Sequence, residues 1–231
     1  MSLKTLGRES LIYGLGHVMA RVITFLLLPL YTHVFTTQEY GSVSLAYAFI
    51  GFSLIVYKYG MDTALMKYAV QKLDLERSKY ITAILITQIL TSFIFSLLLY
   101  LLKAFFAPIA LGIDRPDWIT YLSIILFLDS IWNLPLLILR SENKAALYIL
   151  ISLLNVFLTM LFNILFIVKM KYGVEGVFLS NIVSSSLVLL VSIKIIYNNI
   201  KIKLFDINIL KKILQFGFPF LPAGIFTMIM E

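Results

Sequence analysis

Among the side chains able to carry charge, Arg21 is the most informative, because it sits near the middle of the apolar stretch SLIYGLGHVMARVITFLLLPLYTHVF, residues 10–35. A cation at the centre of a membrane span costs at least ~2.5–3.5 kcal/mol on insertion scales, so it needs a reason to be there. Ser10, Gly14, His17, Arg21 and Thr24 recur at steps of four, three, four and three, which places them on one helical face. Ile12, Val18, Ile23, Phe25, Leu26 and Leu27 fall on the opposite side. A guanidinium on a coherent polar stripe is expected to face a bundle interior or a water-filled cavity. Two blander roles compete with this one. Arg21 could pair with a carboxylate and hold two helices together, or snorkel to the membrane surface.

Further polar pairs fall at helical spacing. Lys58 and Asp62 stand four residues apart near the end of a second apolar run. They read either as a local ion pair, worth about 0.2–0.5 kcal/mol on an exposed helix, or as the floor of a cavity. Ser44, Tyr47 and Gly51 continue their face. Asp129 and Asn133 are one turn apart in a fourth run, with Asp129 about midway along it, as a candidate partner for Arg21. Pro135 removes a backbone hydrogen bond there and can kink the helix. Thr87, Gln88, Thr91 and Ser92 mark the third run, Ser152, Asn155, Thr159 and Asn163 the fifth, and Ser180, Asn181, Ser184 and Ser185 the sixth. For these the leading reading is interhelical packing, since small and hydroxyl residues are common glue between membrane helices. A polar face on every run still exceeds what packing needs, and points to a bundle around a hydrophilic cavity.

Enzyme chemistry has no visible carrier. The chain holds two histidines, His17 and His33, and no cysteine, which removes disulfides, thiol nucleophiles and His/Cys zinc spacings. No glycine-rich loop precedes a Lys-Ser or Lys-Thr pair, so ATP hydrolysis within the chain is not expected. Asp114 and Asp117, and likewise Asp74 and Glu76 with Arg77, read as solvated turns. No catalytic residue, metal or cofactor is therefore assigned.

The elements that must position these groups follow from composition. Of 231 residues, 61% are hydrophobic and 13% charged, with a mean hydropathy of +0.96. That excludes an ordinary soluble domain. The apolar residues form six runs long enough to span a bilayer as helices, at about 10–35, 43–66, 80–102, 118–139, 147–168 and 177–197. A seventh begins at Phe216. The first run is too long for a cleavable signal peptide, and no small-residue cleavage site follows it. Fourteen of the nineteen Lys and Arg residues fall in loops on the N-terminal side of the bundle, four on the other side, and Arg21 is the remaining one. The positive-inside rule then places the N-terminus of this multi-pass membrane protein in the cytoplasm. It also accounts for the +7 net charge without nucleic acid as a partner. Trp118, Tyr57, Tyr59 and most other tyrosines lie near expected helix ends, as interfacial aromatics do. Residues 198–215 carry Ile202, Phe205, Ile209, Ile213 and Leu214 at helical spacing with lysines largely off the stripe, the pattern of a helix lying in the cytoplasmic interface.

Five segments, LPLYTHVFTTQEYG (28–41), YGMDTALMKYA (59–69), RSENKAALYIL (140–150), YGVEGVFLSNIVSS (172–185) and ILKKILQFGFPFLPAGI (209–225), resemble the polysaccharide-transporter branch of the MOP superfamily. That branch contains flippases for lipid-linked oligosaccharides and is related to the MATE exporters. TTQEYG departs from its usual pattern, in which a proline often precedes the acidic residue.

The resemblance implies an all-α transporter fold of two six-helix lobes. Residues 1–197 correspond to the first lobe, 198–215 to a cytoplasmic linker and 216–231 to the start of the second lobe. Ending at Glu231, early in the seventh helix, implies a fragment or a truncated half. It also implies an undecaprenyl-pyrophosphate-linked oligosaccharide as substrate, moved by alternating access for capsule, O-antigen or exopolysaccharide synthesis. Arg21 would then meet the pyrophosphate with its planar guanidinium. Lys58 and Arg140 would capture the head group, and Asp129 or Asp62 would hold the cations in place when the site is empty. His17 and Asn133 complete the candidate lumen. Membrane lipids are implied partners, and a polysaccharide polymerase with its chain-length machinery would act beside it. The alternatives are a multidrug or cation antiporter of the same superfamily, a membrane glycan polymerase, or a half-protein that does not transport.

Overall fold

The structure, a computed structural model, describes the backbone of residues 3–70 and 74–230; the side chains of residues 3–13, 17, 20, 23, 24, 74 and 229 lie outside the description. The described residues form helices and tight connections, with no strand among them. In chain order these are α1 (Leu3–Val34), α2 (Thr37–Lys58), α3 (Met61–Val70), α4 (Asp74–Leu101), α5 (Lys103–Leu111), α6 (Pro116–Ser141), α7 (Ala145–Asn163), α8 (Val174–Asn199), α9 (Ile207–Gly217) and α10 (Phe220–Met230). A π-helical turn, Ile164–Lys169, extends α7, and a 3₁₀ turn, Ile202–Leu204, follows α8.

Short connections make successive long helices antiparallel. Among the described residues six segments are long and apolar enough to cross a membrane: Thr37–Lys58, Leu75–Leu101, Pro116–Ser141, Ala145–Lys169, Val174–Asn199 and Ile207–Met228. The first expected span, 10–35, corresponds to α1, which starts earlier and ends one residue sooner, at Val34. The protein is an all-α, multi-pass membrane bundle. The α2–α3 junction, the α6–α7 turn and α9 lie at one end, together with Lys58, Lys67, Arg77, Arg140, Lys144, Lys201, Lys203, Lys211 and Lys212. This basic end contrasts with the opposite end, formed by the α1–α2 turn, α5 and the α7–α8 turn.

α6 is the central helix. Of its most apolar stretch, 61% is buried inside the protein, against 44% for α8 and 22% for α4. Around it, Trp118, Ile119, Leu122 and Phe178 fill the core near the opposite end, with Val43, Ala46 and Leu111. Met61, Leu65, Ile81, Ile84, Leu85, Ile138 and Ile213 fill the core near the basic end. Despite Pro135, α6 runs on without interruption to Ser141.

Local chemistry fixes the helix ends. In TTQE, Thr36 accepts from the Glu39 N–H, and the Glu39 carboxylate accepts from the Thr36 N–H at 2.9 Å. This reciprocal capping box starts α2 and supplies the turn without a proline. The second expected run, 43–66, is not one helix. Tyr59 (φ +30°) adopts a left-handed C-cap and Gly60 (φ +80°) follows, which ends α2 at Lys58 and restarts the chain as α3. The connection between the expected runs 80–102 and 118–139 contains α5.

Three of the aromatic residues assigned above to the membrane surface, Tyr57, Tyr59 and Trp118, are instead core, whereas Tyr100, Tyr172 and Tyr197 near helix ends are exposed. Tyr57 and Tyr59 are buried, with hydroxyls bonded to Ser96 (2.9 Å) and Thr91 (3.0 Å). Trp118 packs edge-on against Phe178. The 198–215 segment also differs from the reading: α8 continues to Asn199, and the amphipathic helix is the shorter α9, capped by Asp206. On it Ile213 is buried and Ile209 and Leu214 face inward, whereas Ile202 and Phe205 precede the helix and are exposed.

Candidate functional site

Two cavities open along one side of the bundle, and a single face of α2 lines both. Tyr40, Tyr47, Gly51, Leu54 and Lys58 lie within a narrow sector of that helix, because steps of seven, four, three and four residues return almost to the same angle. Tyr40 and Tyr47 border the first cavity, about 380 Å³, near the opposite end, together with Leu27, Leu28 and Tyr31 of α1, Asn155 and Thr159 of α7 and Asn181 of α8. Gly51, Leu54 and Lys58 border the second, about 560 Å³, at the basic end, with Asp62 and Thr63 of α3 and Ala223, Gly224 and Thr227 of α10.

The polar walls of the first cavity are wired together. Tyr31 donates to Asn163 Oδ1 (2.9 Å), and Asn163 donates to the Thr159 carbonyl (2.7 Å). Thr159 and Ser184 share a hydrogen bond of 2.8 Å, and Asn181 donates to the Tyr47 hydroxyl (2.9 Å). This string joins α1, α7, α8 and α2. It satisfies groups that lipid would leave unpaired and keeps polar atoms along the cavity.

Arg21 is exposed and no hydrogen bond or ion pair reaches it among the described residues. It stands seven residues before Leu28, on nearly the same face and about 10 Å along the helix axis toward the basic end. Gly14, a further seven residues back, has nothing within 4 Å of where a Cβ would stand. Gly16, on the other side of α1, packs tightly against Ile149 of α7. The stripe of Gly14, Arg21 and Leu28 therefore faces open space rather than the α7 contact. Continuing its alternating steps from Thr24 reaches Leu28 and Tyr31, both cavity residues. That extension was available in the sequence and missed there.

The structure brings Lys58 and Asp62 to the same cleft, but on separate helices either side of the Tyr59–Gly60 break. They form no ion pair among the described residues, and the Asp62 carboxylate accepts from the Thr63 N–H at 2.9 Å. The one-helix ion pair is thus replaced by two groups lining one cleft. Asp129 does not meet Arg21. It accepts hydrogen bonds from Ser185 (2.6 Å) on α8 and from Trp132 (2.8 Å) one turn along α6, so its carboxylate ties α6 to α8. Asn133 is half-buried on α6, with no hydrogen bond among the described residues. Arg140 is exposed at the basic end of α6, beside a cluster that does not include it: Arg77 bonds Glu142 (3.0 Å) and Ser141 (3.2 Å), and Lys144 bonds Glu142 (2.7 Å). Partial burial pushes the Glu142 carboxyl up, but the hydrogen bonds and charges of Lys144 and Arg77 outweigh it and hold the group below its usual range. The side chain of His17 lies outside the described residues.

Two of the sequence segments noted above meet in space. Gly60, from YGMD, lies directly against Gly217, from FGFP: a Cβ on Gly217 would stand 3.1 Å from the Gly60 oxygen. Around this contact the Lys67 ammonium sits 3.8 Å from the centroid of the Phe216 ring, and Phe216 packs edge-on against Tyr68. α9 is thereby docked where α2 breaks, and α10 leaves it to run beside α2, Gly224 packing on Ile55 and Met228 on Gly51.

Known structures carry the same helical-bundle fold. A MOP superfamily transporter from Pyrococcus furiosus, described with a binding pocket of reverse polarity that suggests a different function, superposes with a TM-score of 0.75 at 19% identity, over 96% of this chain and 52% of that one. A MATE protein in complex with MaD3S gives 0.75 at 18% identity, over 96% and 53%. An outward-facing multidrug resistance MATE transporter of the MOP superfamily gives 0.73 at 18%, over 96% and 52%. The chain spans about half the length of these solved structures. No curated protein matches it by sequence. The family model described as polysaccharide biosynthesis protein matches residues 6–231, and the chain belongs to that family.

Proposed function

We propose that this chain forms the first half of a transporter that carries an undecaprenyl-pyrophosphate-linked oligosaccharide across the cytoplasmic membrane, by alternating access, for surface polysaccharide synthesis. Residues 1–197 make the first lobe, 198–215 the cytoplasmic linker and the residues from 216 the entry to a second lobe. The N-terminus and the basic end are cytoplasmic. One observation carries the reading. In a member of the polysaccharide biosynthesis family, Arg21 stands on the face that leads into the first cavity with no carboxylate bound to it among the described residues. An unneutralised guanidinium on the helix face that leads to a cavity with hydroxyl and amide groups in its wall suits a pyrophosphate, which it can grip with two parallel hydrogen bonds. Lys58 borders the neighbouring cleft and Arg140 the basic end, where a head group would arrive from the cytoplasm. Asp129, engaged by Ser185 and Trp132, keeps α6 and α8 together and does not neutralise Arg21. Among the described residues that line the first cavity there is no carboxylate for the cationic cargo of a multidrug antiporter, although Asp62 lines the second cleft. The polymerase and chain-length machinery would take the glycan on the far side.

The test is glycan export in cells that depend on the full-length transporter. Arg21→Ala should abolish export while the protein still accumulates in the membrane, and Arg21→Lys should restore part of it. Undiminished export by Arg21→Ala would overturn the reading.

A further inference from the structure

The most basic stretch of the chain is separate from the proposed transport path. From Lys194 to Lys212 there are five lysines and one acid, Asp206. The Asp206 carboxylate is already occupied, accepting from the Asn208 N–H at 2.8 Å at the start of α9. Within this stretch the 3₁₀ turn Ile202–Leu204 is firmly built. Thr82, fully buried on α4, donates to the Asn199 carbonyl (3.4 Å) and accepts from the Lys201 N–H (3.0 Å). The turn closes on itself through Leu204 N–H to the Lys201 carbonyl (2.7 Å).

This turn roofs a cleft of about 890 Å³ between the start of α4 and the end of α8, walled by Leu75, Ile193, Ile196 and Tyr197 and edged by Lys201 and Lys203. The apolar wall continues down the outside of α8 through Val191 and Leu190, both more than 60% exposed. α8 is a membrane span, so that surface is lipid-facing and the lysines sit where it meets the head groups. A hydrocarbon groove leading up to two lysines on a turn whose backbone is held in place has the shape and charge order of a phospholipid. The lysines favour a head group whose phosphate is not accompanied by its own cation.

We propose that this cleft binds one anionic phospholipid, with its phosphate between Lys201 and Lys203 and an acyl chain along the outer face of α8. A lipid held here would brace the turn that joins α8 to α9. Because α9 docks on the α2–α3 break, the lipid would act on the linker rather than on the transported substrate.

Native mass spectrometry of the full chain, released from detergent with equimolar phosphatidylglycerol and phosphatidylcholine, tests this. One phosphatidylglycerol should remain per chain in preference to phosphatidylcholine. A lysine near a lipid surface is worth roughly a fivefold preference. Lys201→Gln with Lys203→Gln should therefore lower the selectivity on the order of 25-fold. Lys201→Arg with Lys203→Arg should keep it. Lys211→Gln with Lys212→Gln, on α9 and away from the cleft, should retain the bound lipid. Equal retention of both lipids by the native chain, unchanged selectivity in the Lys201/Lys203 glutamine variant, or equal loss in the Lys211/Lys212 variant would overturn the proposal. The last result would mean a diffuse basic surface instead of a site. Size-exclusion profiles of every variant show whether a loss reflects unfolding.

Discussion

Replacing Gly60 with alanine probes the contact that joins the bundle to α9. Two costs combine there. The left-handed φ of +80° penalises any Cβ by roughly 1–2 kcal/mol. The Cβ would also overlap the Gly217 carbonyl, which is backbone and cannot rotate away, so α9 must lift. Forcing extra atoms into a packed contact typically costs about 1–3 kcal/mol, giving roughly 2–5 kcal/mol in total. Three other glycines separate the terms. Gly112 is left-handed (φ +64°) with only an ordinary contact, 3.8 Å to Leu45, so Gly112→Ala should show the backbone penalty alone. Gly14 is helical with open space around it, so Gly14→Ala should be neutral or stabilising by up to about 1 kcal/mol. Gly217→Ala adds a Cβ 3.1 Å from the Gly60 oxygen and should fall between Gly112→Ala and Gly60→Ala. Unfolding of the purified variants in one detergent, followed by circular dichroism, gives the order directly. If Gly60→Ala is no more destabilising than Gly112→Ala, the Gly60–Gly217 contact is not made and α9 is not docked at the α2 break.

Acid should loosen the basic end. Glu142 has its carboxyl held low by Lys144 and Arg77, so it stabilises the folded chain above the ordinary carboxyl range, and this contribution fades as pH falls through that range and below it. Arg77 also bonds the Ala69 carbonyl at 3.1 Å, so protonating Glu142 weakens a clamp on α3, α4 and α6 together. Stability measured against pH should fall on the acid side, and Glu142→Gln should flatten that fall; an unchanged slope would remove Glu142 as the cause. Membrane orientation is open to a clean labelling experiment, because the chain has no cysteine. In intact cells, a membrane-impermeant maleimide should label Asp114→Cys and spare Lys203→Cys, and the reverse pattern would invert the proposed topology.

The helical membrane architecture was legible because composition and run length nearly dictate it: no other backbone arrangement satisfies twenty apolar residues in lipid unless a barrel pattern is present. The boundaries that failed did so where a local conformation overrides hydropathy. KYGMD is a short polar dip, with Lys58 and Asp62, that a hydropathy run from 43 to 66 absorbs, but the left-handed pair Tyr59 and Gly60 ends a helix there. Tyr57, Tyr59 and Trp118 were misread because an aromatic near a span end satisfies two physical descriptions. A hydroxyl can reach water at the interface, or it can reach Ser96 or Thr91 inside the bundle. Only the rotation of the helix decides between them, and rotation depends on neighbours that a single sequence does not identify.

The same dependence on neighbours explains the candidate site. Intrahelical spacing correctly grouped Tyr47, Gly51 and Lys58 on one face, and the stripe through Arg21 extends to Tyr31. Pairing between helices was not recoverable in that way. Asp129 and Arg21 looked complementary because they are opposite charges in membrane spans, yet a carboxylate in lipid can be satisfied by any two good donors, and Ser185 and Trp132 are closer at hand. This exchange has a functional consequence. A carboxylate satisfied by neutral donors leaves the guanidinium of Arg21 available, whereas an Arg21–Asp129 pair would have neutralised the most deeply placed cation of the bundle. Ser185, read as packing glue, therefore does more than join helices: with Trp132 it engages Asp129 and leaves Arg21 without a carboxylate among the described residues, as the proposed capture of an anionic head group requires.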